Sequence, residues 1–189
     1  MCGGRGTRLA TDAEKPLFRV GGVPMVDRVL RAVDESAVED VYAVTSPATP
    51  ETATHVDCPV IETPGEGYVA DLERALADDR VSKPVLTVAA DLPLLDGEAV
   101  DAVLRRGGET LTVVVPVGRK RGLGLSVDTQ FRHGGVAVTP AGINVVGEGE
   151  GRVWRTRDPR FAVNVNRRAD ARLTEWQSWL FNDKKIMRE

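Results

Sequence analysis

Cysteine and histidine are nearly absent from this chain, which has two of each. Cys2 and Cys58 are too few for a disulfide framework, and Cys58 reads as a small buried hydrophobe. His55 and His133 stand apart, without the paired spacing of a zinc site. Aromatics are only 5% of residues, and Trp154, Trp176 and Trp179 read as packing anchors. No run approaches the roughly 18 apolar residues of a bilayer-spanning helix. The amino end lacks a charged region followed by an apolar stretch, so no signal peptide is expected and a cytoplasmic protein is the default. Charge of one sign is lacking too. With 25 basic and 28 acidic residues the net charge is −3, which argues against nonspecific binding to nucleic acid or an anionic membrane. Lysine is scarce, at 5 against 20 arginines, and there is no repeat, low-complexity tract or long linker.

What is present is ordinary globular material: 42% hydrophobic residues and 19 glycines in 189 residues. That length suits a single domain, taken as 1–189, burying roughly 70% of its unfolded surface. Apolar runs alternate with helical periodicity, the pattern of an α/β domain with a mainly parallel sheet. Strands are predicted at Asp40–Thr45, Pro59–Glu62, Pro84–Ala90, Thr110–Pro116, Gly142–Val146 and Phe161–Val165. Cores such as VLTVAA and LTVVV suit strands covered on both faces. Short strands at Leu17–Val20 and Val153–Arg155 are added on weaker patterns. Helices are predicted at Pro24–Glu35, Tyr68–Asp78, Gly97–Arg105 and Ala169–Leu180. Gly118–Gly135, with five glycines, reads as an irregular excursion near a ligand or partner.

Six segments carry chemistry. The first is Cys2-Gly3-Gly4-Arg5-Gly6-Thr7-Arg8, followed by Lys15-Pro16-Leu17. Glycines let backbone N–H groups approach phosphate oxygens, while Arg5, Arg8 and Lys15 supply positive charge. The spacing is neither a Walker A loop nor a dinucleotide fingerprint; read alone, the loop could also be a solvated terminal turn. The second segment is an apolar strand ending in Asp91, where an open α/β sheet binds its ligands. A carboxylate there can hold Mg²⁺ beside phosphate oxygens, or it can cap the next turn. In Phe161-Ala162-Val163-Asn164-Val165-Asn166, strand alternation puts Asn164 and Asn166 on one face. They could hold a metal shell or a phosphate, and Asn166 could cap the next helix. Thr45-Ser46-Pro47 and Thr63-Pro64-Gly65-Glu66-Gly67 follow strands, where Thr45, Ser46, Glu66 and Gly67 could read a base and ribose, or be plain loop residues. In Pro140-Ala141-Gly142-Ile143-Asn144, a glycine inside a strand marks a close approach or a bend.

The glycine loop leaves only Met1 and Cys2 for the strand that is central in a phosphate-binding α/β fold. The expectation is an in-frame apolar strand encoded ahead of Met1, or a sheet that tolerates a stub.

Together these segments resemble the nucleotidyltransferase superfamily that includes molybdenum cofactor guanylyltransferases and sugar-phosphate nucleotidylyltransferases. Within it the chain looks most like the archaeal GTP:adenosylcobinamide-phosphate guanylyltransferases, over roughly residues 2–175. The distinguishing pieces are Thr45–Pro50, Gly65–Leu72 and, most specific, Pro140–Val146. Gly118–Gly135 matches nothing in the resemblance. The resemblance implies a three-layer Rossmann-like fold with a mostly parallel mixed sheet between helices. It implies transfer of GMP from GTP to adenosylcobinamide phosphate in cobalamin assembly or salvage, with Mg²⁺. The nucleotide would be bound by Gly3, Gly4, Arg5, Gly6, Thr7, Arg8, Lys15, Thr45, Ser46, Glu66 and Gly67. Arg8, Lys15 and Asp91 would be catalytic, Asp91 and Asn164 would hold the metal, and Pro140, Ala141, Gly142 and Asn144 would face the acceptor. The partners implied are these small molecules, with a homodimer left open. The alternatives are another transferase of the superfamily, or a GTP-binding module without catalysis.

Overall fold

The computed structural model describes residues 1–4, 6–9, 11 and 13–174. A two-stranded turn, β1 (Arg19–Val20) and β2 (Val23–Pro24), leads into helix α1 (Met25–Asp34). The apolar positions of α1 recur at helical spacing, and Met25, Val26, Val29, Ala32 and Val33 are all buried. Strand β3 (Ala43–Thr45), helix α2 (Pro50–His55), strand β4 (Val60–Glu62), helix α3 (Tyr68–Leu76), strand β5 (Val85–Val88) and helix α4 (Gly97–Leu104) follow. Next come β6 (Glu109–Pro116), α5 (Val117–Gly122), β7 (Phe131–His133), β8 (Val136–Val146), β9 (Glu148–Arg155) and α6 (Pro159–Ala162). A final helix, α7, is described over 168–174.

Strands β5, β8, β6 and β9 lie in that order, with β7 also paired to β8. β8 is antiparallel to β5, β6 and β7, whereas β6 and β9 are parallel, so β8 alone runs against its neighbours. β3 and β4 form a parallel pair. Met1 and Cys2 join that pair to β5. The Met1 amino group donates to Val88 O at 2.8 Å, and Ala90 N donates to Met1 O at 3.2 Å while Cys2 N donates to Val44 O at 2.7 Å. The two Met1 bonds follow the parallel pattern with β5, and the Cys2 bond ties the same segment to β3. The sheet is therefore mostly parallel and mixed, with helices against it. α1, α4 and α6 share one apolar cluster with β6 and β8, and α3 packs through Ala75 on Val44 and Ile61.

Between β3 and β5 lies an apolar cavity of about 140 Å³, walled by Val29 and Val33 of α1, Leu72 and Leu76 of α3, and Leu86 and Val88 of β5. β3 is shorter than the apolar pattern from Asp40 suggested and begins at Ala43, where its pairing with Val60 of β4 begins.

Other sequence expectations need correction. Phe161–Val165 is not a strand: residues 159–162 form α6, started by Asp158, whose side chain accepts from Arg160 N, and 163–166 run on without sheet pairing. The irregular reading of Gly118–Gly135 gives way to α5 and a β7–β8 hairpin. The hairpin turns at Gly134 and Gly135, both at positive φ (54° and 79°) as a two-residue turn requires. Leu17–Val20 is strand only at its end, and Val153–Arg155 is the end of the longer β9. The helix α2 went unanticipated; Glu14 takes its free amide groups, accepting from Glu51 N and Thr52 N at 2.7 Å each. The helix expected over Ala169–Leu180 is described to residue 174, and Trp176, Trp179 and Arg5 lie outside the described residues. No helix among the described residues is long and apolar enough to cross a membrane.

Candidate active site

Three chain segments converge at the carboxyl edge of the sheet. The Met1–Cys2 stub delivers Gly3 and Gly4 there, and β5 continues through Ala89 and Ala90 to Asp91. Asp91 is held by its backbone, since Val165 N donates to its carbonyl at 3.0 Å. Lys15 arrives on the single 3-10 turn Lys15–Leu17. Gly3, Gly4, Lys15, Glu66, Gly67 and Asp91 line one open cleft of about 440 Å³.

At its floor the side chains form a continuous network. Lys15 Nζ donates to Asp91 Oδ2 at 2.5 Å and to Asn166 Oδ1 at 2.7 Å. Asn164 Nδ2 donates to Asp91 Oδ1 at 3.2 Å and to Ala141 O at 3.1 Å. On its other side, Asn164 Oδ1 accepts from Lys120 Nζ at 3.1 Å. Lys120 is buried. Burial pushes its pKa below the ordinary lysine value, and Asp91 leads the carboxylates that pull it back up. Gly142 sits against this network at φ +83°, where a Cβ would lie 3.0 Å from Asn164 Nδ2.

A cleft of glycine N–H groups and a lysine–aspartate pair at a strand edge suits a phosphate-bearing ligand. The sequence matches the MobA-like NTP transferase domain over residues 1–156. The chain belongs to that family. Among curated relatives, an adenosylcobinamide-phosphate guanylyltransferase of Methanocaldococcus jannaschii is 28% identical over 93% of each chain. Among solved structures, a hypothetical transferase from Thermus thermophilus superposes with a TM-score of 0.57 at 24% identity, covering 78% of this chain and 63% of that one. A CMP:2-keto-3-deoxy-manno-octonic acid synthetase solved with CTP gives 0.54 at 14% identity, covering 78% of this chain and 85% of that one. The two structural likenesses establish the fold.

In this nucleotidyltransferase the expected site residues fall into three groups. Gly3, Gly4, Lys15, Glu66, Gly67 and Asp91 share the cleft, with Asn164 behind Asp91. A second group supports it. Ser46 Oγ donates to Gly3 O at 3.1 Å, and the buried Thr45 offers its carbonyl to Thr63 Oγ1 at 2.8 Å. Ala141 is buried and holds Asn164 through its carbonyl. The third group lies apart. Gly6, Thr7 and Arg8 do not line the cleft. Gly6 turns at φ +61° with Lys15 packed against its Cα, and Arg8, 63% exposed, pairs with Asp128 at 3.0 Å. Pro140 is exposed. Asn144 Nδ2 donates to the Tyr68 hydroxyl at 3.5 Å.

Two residues escaped the sequence reading, Asp71 and Lys120, and a third, Asn166, was quoted with two roles left open. Asp71 is buried at the cleft wall, and its Oδ1 accepts from Gly65 N at 2.9 Å, setting the Glu66 loop. Its signal was a charge four residues before the core residue Ala75, hence on the inward face of α3. Asn166 belonged to the quoted Asn-Val-Asn segment, where capping and ligand roles could not be separated. Lys120 gave no signal, because a Gly-Arg-Lys-Arg-Gly run looks like solvated surface.

Proposed function

We propose that this nucleotidyltransferase moves GMP from GTP to the phosphate of adenosylcobinamide phosphate, giving adenosylcobinamide-GDP and pyrophosphate. The observation that carries the reading is the Lys15–Asp91 pair beside Gly3 and Gly4 in one cleft. It stands in a chain matched over 93% of its length by a relative named for this reaction.

The acceptor phosphate is already anionic, so no proton need be removed to make a nucleophile. One of its oxygens attacks the α-phosphorus of GTP. The bond from that phosphorus to the oxygen bridging to the β-phosphate breaks, and the electron pair leaves with pyrophosphate. Positioning and charge neutralisation supply the acceleration. The N–H groups of the Gly3–Gly4 turn face the triphosphate, and Lys15 neutralises charge on the phosphates. The Glu66 carboxylate could accept from a guanine N1–H and N2–H, with Gly67 beside it leaving room for the ring. Ser46 and Thr45 keep the turn and the Glu66 loop in register. The acceptor approaches from the side of the cleft where Asn144 meets Tyr68.

Among the described residues no cluster of three or more His, Cys, Asp or Glu side chains could hold a metal by itself. Mg²⁺ nonetheless fits, because it asks for only one or two carboxylates beside phosphate oxygens and water. Asp91 would hold it, and the ion would neutralise charge on the α- and β-phosphates. Asn164 turns its amide nitrogen to Asp91, so it orients that carboxylate from behind.

The test incubates the protein with GTP and Mg²⁺ and offers adenosylcobinamide phosphate, a sugar 1-phosphate or molybdopterin, reading pyrophosphate and product mass. Guanylylated corrinoid is expected. Product on another acceptor with none on the corrinoid would overturn the reading.

A further inference from the structure

Lys120 is a buried cation that the reaction as described does not use. It sits on α5, is 4% exposed, and makes one hydrogen bond to a side chain, to Asn164 Oδ1 at 3.1 Å. A buried ammonium is costly unless its partners repay the desolvation, and an apolar side chain of equal length would fill the same space. Its presence therefore calls for a reason beyond packing.

The reason lies in the inventory of donors and acceptors. A lysine nitrogen can only donate; a carboxylate and a carbonyl can only accept. Asn164 touches one of the first kind, Lys120, and two of the second, Asp91 Oδ1 and Ala141 O. Its amide thus has a single orientation, oxygen to Lys120 and nitrogen to Asp91. Lys15 holds the other oxygen, Asp91 Oδ2. The carboxylate is pinned at both oxygens, and one of the pins depends on Lys120. Without a donor at position 120 the buried amide oxygen loses its partner, and the side chain is free to swing about its own torsions and away from the carboxylate.

We propose that Lys120 is a positioning residue for nucleotidyl transfer, which fixes the rotamer of Asn164 by holding its oxygen and through it the plane of the Asp91 carboxylate. This rests on the reading that Asp91 works at the reacting phosphates. Lys120 itself does not line the cleft.

The test compares Lys120→Met, which removes the donor, with Lys120→Gln, which keeps an uncharged one. Lys120→Met is expected to lower kcat about 10- to 100-fold, the range for a residue that orients a ligating group. KM for GTP should stay within about twofold, because nucleotide contacts are untouched. Lys120→Gln is expected to restore most of the kcat. In ¹⁵N-labelled protein, the Asn164 side-chain amide pair should keep its wild-type shifts in Lys120→Gln and lose them in Lys120→Met. Asn164→Ala combined with Lys120→Met should cost no more than either alone, since both break the same link.

Wild-type kcat in Lys120→Met, additive losses in the double variant, or equal losses in Met and Gln variants with unmoved amide shifts would each overturn the proposal. Should Lys120→Met fail to fold, the Gln variant decides: altered Asn164 shifts there count against it. A wild-type protein that guanylylates no corrinoid counts against the substrate reading alone, and the amide shifts still judge Lys120.

Discussion

Lys15 Nζ and Asp91 Oδ2 meet at 2.5 Å across 76 positions of sequence. Their side chains are only 19% and 15% exposed, in a cleft whose other wall is glycine backbone. A cation and an anion so placed neutralise each other until phosphates enter. The lysine can then turn to phosphate oxygens, leaving the carboxylate oxygen for a hard cation. Asp91→Ala should therefore stay folded yet lose at least about 10²- to 10³-fold in kcat, the scale for removing one preorganised electrostatic group. Near-normal turnover with Mg²⁺ in that variant would take Asp91 out of the reaction.

Arg8 and Lys15 should separate. Lys15 lies in the cleft, while Arg8 is tied to Asp128. Lys15→Ala is expected to reduce kcat/KM for GTP far more than Arg8→Ala, measured side by side at low GTP. Equal losses would mean that Arg8 leaves Asp128 for the triphosphate.

Chelation supplies a third check. EDTA should abolish pyrophosphate release, and Mg²⁺ in excess should restore it, because among the described residues lining the cleft only the Lys15 side chain brings positive charge to the triphosphate. Full activity in EDTA would remove the metal from the reading.

Gly142→Ala should destabilise the protein by about 1–3 kcal/mol, the scale for forcing an L-residue into a left-handed backbone region. The glycine sits at φ +83°, and the new methyl would land 3.0 Å from Asn164 Nδ2. Urea unfolding checks the loss. Because the methyl presses on Asn164, kcat should fall as well; a variant as stable as the parent would show that β8 relaxes freely there.

Much of the frame was legible in the sequence. α1, α3 and α4 followed from apolar spacing, and β5 with Asp91 at its end followed from a continuous apolar run. Alternation anticipated that Asn164 and Asn166 share a face; their bonds to Asp91 and Lys15 were not anticipated, and the segment is extended coil with a backbone bond from Val165 N to Asp91 O. Phe161 misled because its apolar, β-prone neighbourhood hid a Pro-started turn capped by Asp158. β7 was missed because Phe131–His133 is fully exposed and carries no alternation of buried and solvated faces.

The sequence by itself determined the main helices α1, α3 and α4 and the long apolar strands β5 and β6, the apolar face of each helix, and that glycines, a lysine and an aspartate stand at loop and strand ends. Those properties are local, set by backbone sterics and a repeat of two or 3.6 residues. Only the tertiary structure decided that Arg8 turns to Asp128, that Lys120 goes inside, and that Asn164 points its nitrogen at Asp91. Charges and amides choose partners by distance and desolvation after the chain has packed, and those distances join residues 44 to 120 positions apart.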